Sequence, residues 1–184
     1  MKKIRPIFLL SFLIFLLSVP YEIFATNNKN VLDLERSREL LLDGYIQSDF
    51  DNHQLAIEYY TEAIRLNPNN FYAFLNRAFS RHQIKDNPGA WADLNRALEI
   101  NPNDGIASYN RAIVNWKLGH QLSSIKDYSK AINKDIELKN AYAVRGILKS
   151  NIGDAEGACS DWKKAIENKS CLLYTSDAAD EVVS

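Results

Sequence analysis

Residues 67–104 read NPNNFYAFLNRAFSRHQIKDNPGAWADLNRALEINPND, and the stretch opens and closes on one signal, Asn67-Pro68-Asn69 and Asn101-Pro102-Asn103. Proline cannot continue a helix and asparagine serves as a stop, so each signal ends a structural unit. Asn70 and Asp104 then fit the N-cap of the helix that follows, where a side-chain oxygen meets a free backbone N–H. Working outward, the same spacing of 34 residues relates the pairs Ala63-Ile64, Ala97-Leu98, Ala131-Ile132 and Ala165-Ile166. Small residues form two more columns at this period: Gly44, Ala78, Ala112 and Gly146, then Ala56, Ala90, Ser124 and Ala158. Tyr60, Leu94, Tyr128 and Trp162 form a large apolar column. Antiparallel helices approach closely only where facing side chains are small, and a large residue fills the neighbouring groove.

Such columns resemble the tetratricopeptide repeat, a helix–turn–helix unit of this period, over residues 31–168. The resemblance implies an all-α fold, an α-solenoid of about four such repeats forming a right-handed superhelix. The repeats are expected at about 37–70, 71–104, 105–138 and 139–170. Stops and caps place helices at 31–48 and 52–66, 71–84 and 88–100, 105–118 and 121–133, and 139–151 and 154–167. Gly119 and Gly153 fall at inner turns, where a left-handed residue is wanted. The pattern thins at both ends. Leu40-Leu41-Leu42 opens the first unit without an aromatic, and Lys134-Asp135-Ile136 stands where proline is expected.

Outside the repeats the ends have their own character. Met1-Lys2-Lys3-Ile4-Arg5 is a basic run, Ile7 to Val19 is uncharged and apolar, and Ile23-Phe24-Ala25 resembles a cleavage site. Residues 1–25 therefore read as a signal peptide, with an uncleaved N-terminal anchor as the rival; either way the chain is exported to a periplasmic, secreted or other extracytoplasmic compartment. Cys171 to Glu181 resembles a translated transposon-end sequencing adaptor, so 171–184 is expected to be an artefactual tail. Without these two ends the chain carries equal numbers of basic and acidic residues. A neutral body argues against a nucleic-acid partner, which needs a clustered basic excess. Cys159 and Cys171 could pair in an oxidising compartment. With Cys171 assigned to the tail, Cys159 beside Ala158 is expected to be a packed thiol.

Catalytic patterns are missing. Arg77, Arg111 and Arg145 share one column and Asp93, Asp127 and Asp161 another, and groups that recur in every unit read as framework, pairing between adjacent hairpins. His53, His82 and His120 fall near inter-helix turns and form no metal pattern. No GxSxG elbow, phosphate loop or calcium loop occurs. The expectation is no enzyme, no cofactor, no metal and no small-molecule substrate.

In the tetratricopeptide family the first helices of successive units line an inner, concave surface, and ligands lie along it. Helical spacing from the small column nominates Tyr72, Leu75, Asn76, Phe79 and His82 in the second unit, then Ile106, Tyr109, Asn110, Ile113 and Trp116 in the third. Asn76 and Asn110 occupy equivalent positions, and an amide can clamp an extended backbone by donating and accepting at once. The Asn-Arg pair is also common in this family, so a framework role for the asparagines stays open. Family members that grip an acidic C-terminus use inner-face lysines and arginines. The comparable positions here are aromatic and aliphatic, which points to a partly apolar peptide or a partner's helix, with Tyr109 and Trp116 as anchors. The reading is a non-catalytic scaffold that binds a peptide or protein, touching a membrane only through an uncleaved N-terminal segment. Two alternatives stand beside it: the docking arm of a larger enzyme or secretion component, and a self-assembling protein whose Trp162 and Ile166 cover the next chain.

Overall fold

The computed structural model describes residues 21–134 and 139–166. Residues 1–20 of the expected leader 1–25, the tail 171–184, most of the Lys134-Asp135-Ile136 link and the side chain of Ile166 lie outside the described residues. Among the described residues there are eight helices and no strand. They are α1 (Tyr21–Asp49), α2 (His53–Leu66), α3 (Phe71–Gln83), α4 (Asn87–Ile100), α5 (Gly105–Lys117), α6 (Gln121–Ile132), α7 (Lys139–Asn151) and α8 (Ala155–Ile166). Consecutive helices pair as the hairpins α1/α2, α3/α4, α5/α6 and α7/α8, and each hairpin stacks on the next to make an α-solenoid.

Local chemistry sets the helix bounds. Asn70 accepts from the Ala73 N–H at 3.2 Å and Asp104 from the Ala107 N–H at 2.7 Å, so both expected N-caps are made. Asp86 and Asp154 do the same for the second helices, accepting from Gly89 and Gly157, each at 2.9 Å. Inner turns carry a left-handed residue at one column: Asp51 (φ 59°), Lys85 (φ 67°), Gly119 (φ 80°) and Gly153 (φ 83°). Glycine takes that conformation freely, while Asp51 and Lys85 hold it at a cost of about 1–2 kcal/mol. Helix α1 already runs from Tyr21, the first described residue, ten residues before the expected position 31. Residues 21–30 contain neither Pro nor Gly, so nothing in them stops a helix. The other bounds that lie within the described segments fall within one residue of expectation.

The columns of small and large residues meet inside each hairpin. A Cβ added to Gly44 would stand 2.6 Å from Tyr60 Cε1, and one added to Gly146 would stand 2.5 Å from Trp162 Nε1. Each ring therefore rests on backbone. Tyr60 and Tyr128 are fully buried, as is Leu94 over Ala78. Burial pushes the Tyr60 hydroxyl up to about 12. The second small column packs on the first: Ser124, standing where other hairpins have alanine, donates to the Ala112 carbonyl at 2.7 Å.

The charged columns also meet inside the hairpin, which corrects the expected pairing between adjacent hairpins. Arg77 donates Nε and Nη2 to the two Asp93 oxygens at 2.9 and 2.6 Å. Arg111 does so to Asp127, both at 2.7 Å, and Arg145 to Asp161 at 2.7 and 2.6 Å. The reason is geometric. In an antiparallel hairpin, residues equidistant from the turn face each other, and Arg77 and Asp93 lie eight positions either side of Lys85. The remaining Nη1 reaches back to the preceding hairpin, donating to Thr61, Asn95 and Ser129 at 3.0, 2.9 and 2.8 Å. One guanidinium thus closes its own hairpin and registers it on the one before.

Each buried carboxylate has a further donor, and here the third hairpin differs. Asp93 receives Arg81 at 2.9 Å and Asp161 receives Lys149 at 3.0 Å, whereas Asp127 receives the neutral Asn115 amide at 3.0 Å. Asn115 is held in turn by the Trp91 indole N–H at 3.0 Å. Burial alone would raise the Asp161 carboxyl. Hydrogen bonds from Arg145 and Lys149, with their charges, outweigh it and hold that group below the ordinary carboxylate range.

This asymmetry makes a prediction. Arg111→Ala leaves Asp127 buried with no cation from this set and should cost about 3–5 kcal/mol. Arg77→Ala should cost less, about 1–3 kcal/mol, because Arg81 still reaches Asp93. Urea unfolding of the two variants measures the difference, and equal losses would show that the charge of the extra donor is immaterial.

Candidate functional site

The face made by α1, α3 and α5 carries two adjacent cavities. One, of about 410 Å³, lies between the first and second hairpins, lined by Tyr45, Asp49 and Asp51, with Asn76, Phe79 and Gln83 opposite. The other, of about 310 Å³, lies between the second and third hairpins, lined by Phe79, His82, Tyr109, Asn110 and Ile113. Phe79 belongs to both and forms the ridge between them. Its ring meets His53 edge-on, centroids 6.0 Å apart.

Six of the ten nominated residues therefore come together around these cavities: Asn76, Phe79, His82, Tyr109, Asn110 and Ile113. Tyr109 and Ile113 stand on the core of the third hairpin, with Tyr109 edge-on to Tyr128 at 5.6 Å. His82 Nδ1 lies 2.8 Å from Asn87 Oδ1 across the inner turn. Tyr72, Ile106 and Trp116 are exposed on the same helices but line neither cavity, and the Lys117 ammonium lies 5.5 Å from the Trp116 ring. Leu75 is the correction among them. At 8% exposure it sits in the core with Leu94 and Leu98, because one residue back along a helix turns the side chain about 100° toward the second helix.

Asn76 and Arg77 are neighbours with opposite fates, as are Asn110 and Arg111. The arginines are consumed by the framework. The asparagine amides have no hydrogen-bond partner among the described residues. By contrast, Asn115 has both ends of its amide engaged and is buried. Each free amide at a cavity wall can donate to a carbonyl and accept from an N–H.

Leu42 and Tyr45, 59% and 58% exposed, extend the same face into the first hairpin. They stand 34 residues before Asn76 and Phe79, so the repeat period could have found them. It was obscured because the first unit lacks the aromatic at its start. Cys159 is disulfide-bonded, which corrects the packed thiol; the chain's other cysteine, Cys171, lies outside the described residues. Among the described residues no group of three or more His, Cys, Asp or Glu could hold a metal ion, and no helix is long and apolar enough to cross a membrane.

Residues 44–70 match the profile of the tetratricopeptide repeat family. No curated protein matches in sequence. Among solved structures, the crystal structure of MamA superposes with a TM-score of 0.69 at 24% identity, over 72% of this chain and 77% of that one. MamA 41-end from Desulfovibrio magneticus RS-1 gives 0.66 at 21%, over 71% and 74%. The first tetratricopeptide domain of Spaghetti (RPAP3), bound to the HSP90 peptide SRMEEVD, gives 0.63 at 20%, over 65% and 95%. These likenesses establish the fold as a tetratricopeptide solenoid.

Framework and groove positions should separate in a stability measurement. Leu75→Ala should destabilise by about 2–5 kcal/mol. Phe79→Ala, half-exposed, should lose about 1 kcal/mol, the order of one aromatic contact. Thermal unfolding followed by circular dichroism checks both, and comparable losses would place Phe79 in the framework.

Proposed function

We propose that this chain, a tetratricopeptide-repeat protein by its fold and by the match at residues 44–70, is a non-catalytic scaffold that holds a segment of another protein along its α1/α3/α5 face. One observation carries the reading. Two equivalent asparagines, Asn76 and Asn110, present unengaged amides at the walls of two consecutive cavities, while the arginine beside each is fully used by the framework. An extended backbone crossing both cavities would meet an amide clamp in each, with Phe79 and Tyr109 supplying apolar contact between them. Support from a relative is that the first tetratricopeptide domain of RPAP3 is bound to a peptide. Trp116 and Tyr72, exposed at the margins of the face, fit the role of outer anchors.

The same proposal places the chain outside the cytoplasm, on the strength of the basic and apolar residues 1–25. Cleavage after Ala25 would leave Thr26–Asp49 of α1, which includes the buried Ser37, Leu40 and Gly44.

Two outcomes are expected. Asn110→Ala combined with Trp116→Ala should abolish partner capture while the helical circular-dichroism signal is retained; capture that survives the double change moves the site elsewhere. In fractionated cells the chain should appear in the envelope or outside it, and a purely cytoplasmic pool would remove the export half of the proposal.

A further inference from the structure

Positions 49, 83 and 117 are equivalent in the first three hairpins, and so are 51, 85 and 119. They hold Asp49 and Asp51, then Gln83 and Lys85, then Lys117 and Gly119. Positions 49, 83 and 117 are the last residues of α1, α3 and α5, so these columns form one edge of the groove. All six residues are exposed. Charge along this edge therefore changes sign: two carboxylates at the first hairpin, one ammonium at the second and one at the third. Among the described residues these groups have no Lys, Arg, Asp or Glu partner. Asp51 is 3.6 Å from the His53 imidazole, and Lys117 lies over Trp116.

The cavities follow the same gradient. Asp49 and Asp51 wall the 410 Å³ cavity together with Tyr45, His53 and Phe79. The carbonyl end of α1 points its partial negative charge there as well. Carboxylates and a helix C-terminus both favour a cation. The 310 Å³ cavity, between Phe79, Tyr109 and Ile113, is apolar and takes an uncharged side chain. Beyond it stands Lys117.

The geometry points to a ligand of fixed polarity: an extended segment of a partner protein with a Lys or Arg seated between the first and second hairpins, an apolar side chain in the next cavity, and an Asp or Glu facing Lys117. This rests on the groove reading above and deepens it. Helices pack at about 8–10 Å, so a seat between the first and second hairpins lies one and a half hairpin steps, about 15 Å, from the third. An extended chain rises about 3.3 Å per residue, which separates the basic and acidic side chains by about four or five residues.

The test is selection of a random twelve-residue peptide library displayed on phage against the whole protein, followed by affinity measurement of a synthesised consensus peptide. Two double variants serve as probes: Asp49→Lys with Asp51→Lys at the charged edge, and Phe79→Ala with Asn110→Ala in the groove. Lys85 already tolerates the backbone conformation that Lys at position 51 would need. The expected consensus pairs a basic with an acidic residue about four or five positions apart, with an apolar residue between them. The charge variant should bind it about tenfold more weakly at low salt, the sum of two exposed ion pairs. A consensus without that charge pattern, or one that ignores the charge variant yet is lost with the groove variant, overturns the polarity and leaves the groove standing. Peptides insensitive to both variants, or no enriched peptide at all, overturn both.

Discussion

A guanidinium with five N–H donors can satisfy two partners at once, and this solenoid uses that property three times. Arg77, Arg111 and Arg145 each place one fork on a buried aspartate of their own hairpin and the spare nitrogen on a hydroxyl or amide of the hairpin before. Burying such a pair is not by itself a source of stability, because desolvation offsets most of the attraction. What it supplies is registry. Two helices can slide along an apolar seam at little cost, but a bidentate bond of 2.6–2.9 Å admits one alignment. The seam itself is apolar, with rings of Tyr60 and Trp162 resting on the backbone of Gly44 and Gly146.

Because registry is settled by one arginine in the first helix of the second, third and fourth hairpins, the residue before it is released. Asn76 and Asn110 precede Arg77 and Arg111 and lie about 100° round the helix, away from the second helix. The consequence is a division of labour along a single turn: Leu75 packs in the core, Asn76 lines a cavity, Arg77 closes the hairpin. The same turn in the third hairpin places Tyr109 on the core and at the cavity, Asn110 at the cavity and Arg111 in the framework. Ligand chemistry can change at positions 42, 76 and 110 without disturbing the pairing that holds the stack together.

The candidate site was partly readable from spacing alone. Counting from the small column reached Phe79, Asn110 and Ile113, since that column marks the side of each first helix that faces its partner. It misassigned Leu75, which is close in sequence to the groove but faces inward, because a period of 34 residues locates a turn of helix and not the angle of one side chain. Tyr45 and Asp49 were passed over where the first unit departs from the aromatic pattern of the others. The aspartate and arginine columns were recognised as framework, but their partners were placed across hairpins. Counting eight residues outward from the left-handed turn at Lys85 would have paired Arg77 with Asp93.

Sequence by itself determined the repeat, the stops and the caps, because Pro, Asn, Asp and Gly act through local backbone geometry and need no distant partner. It also determined which positions had to be small, since that requirement recurs at every unit. Only tertiary structure decided which of the recurring polar groups are consumed and which are left open. Asparagines 76 and 115 look equally polar in the chain, yet one amide faces a cavity unengaged and the other is locked between Trp91 and Asp127. That difference arises where separate hairpins meet, from distances between residues far apart in the chain, and no local rule carries it.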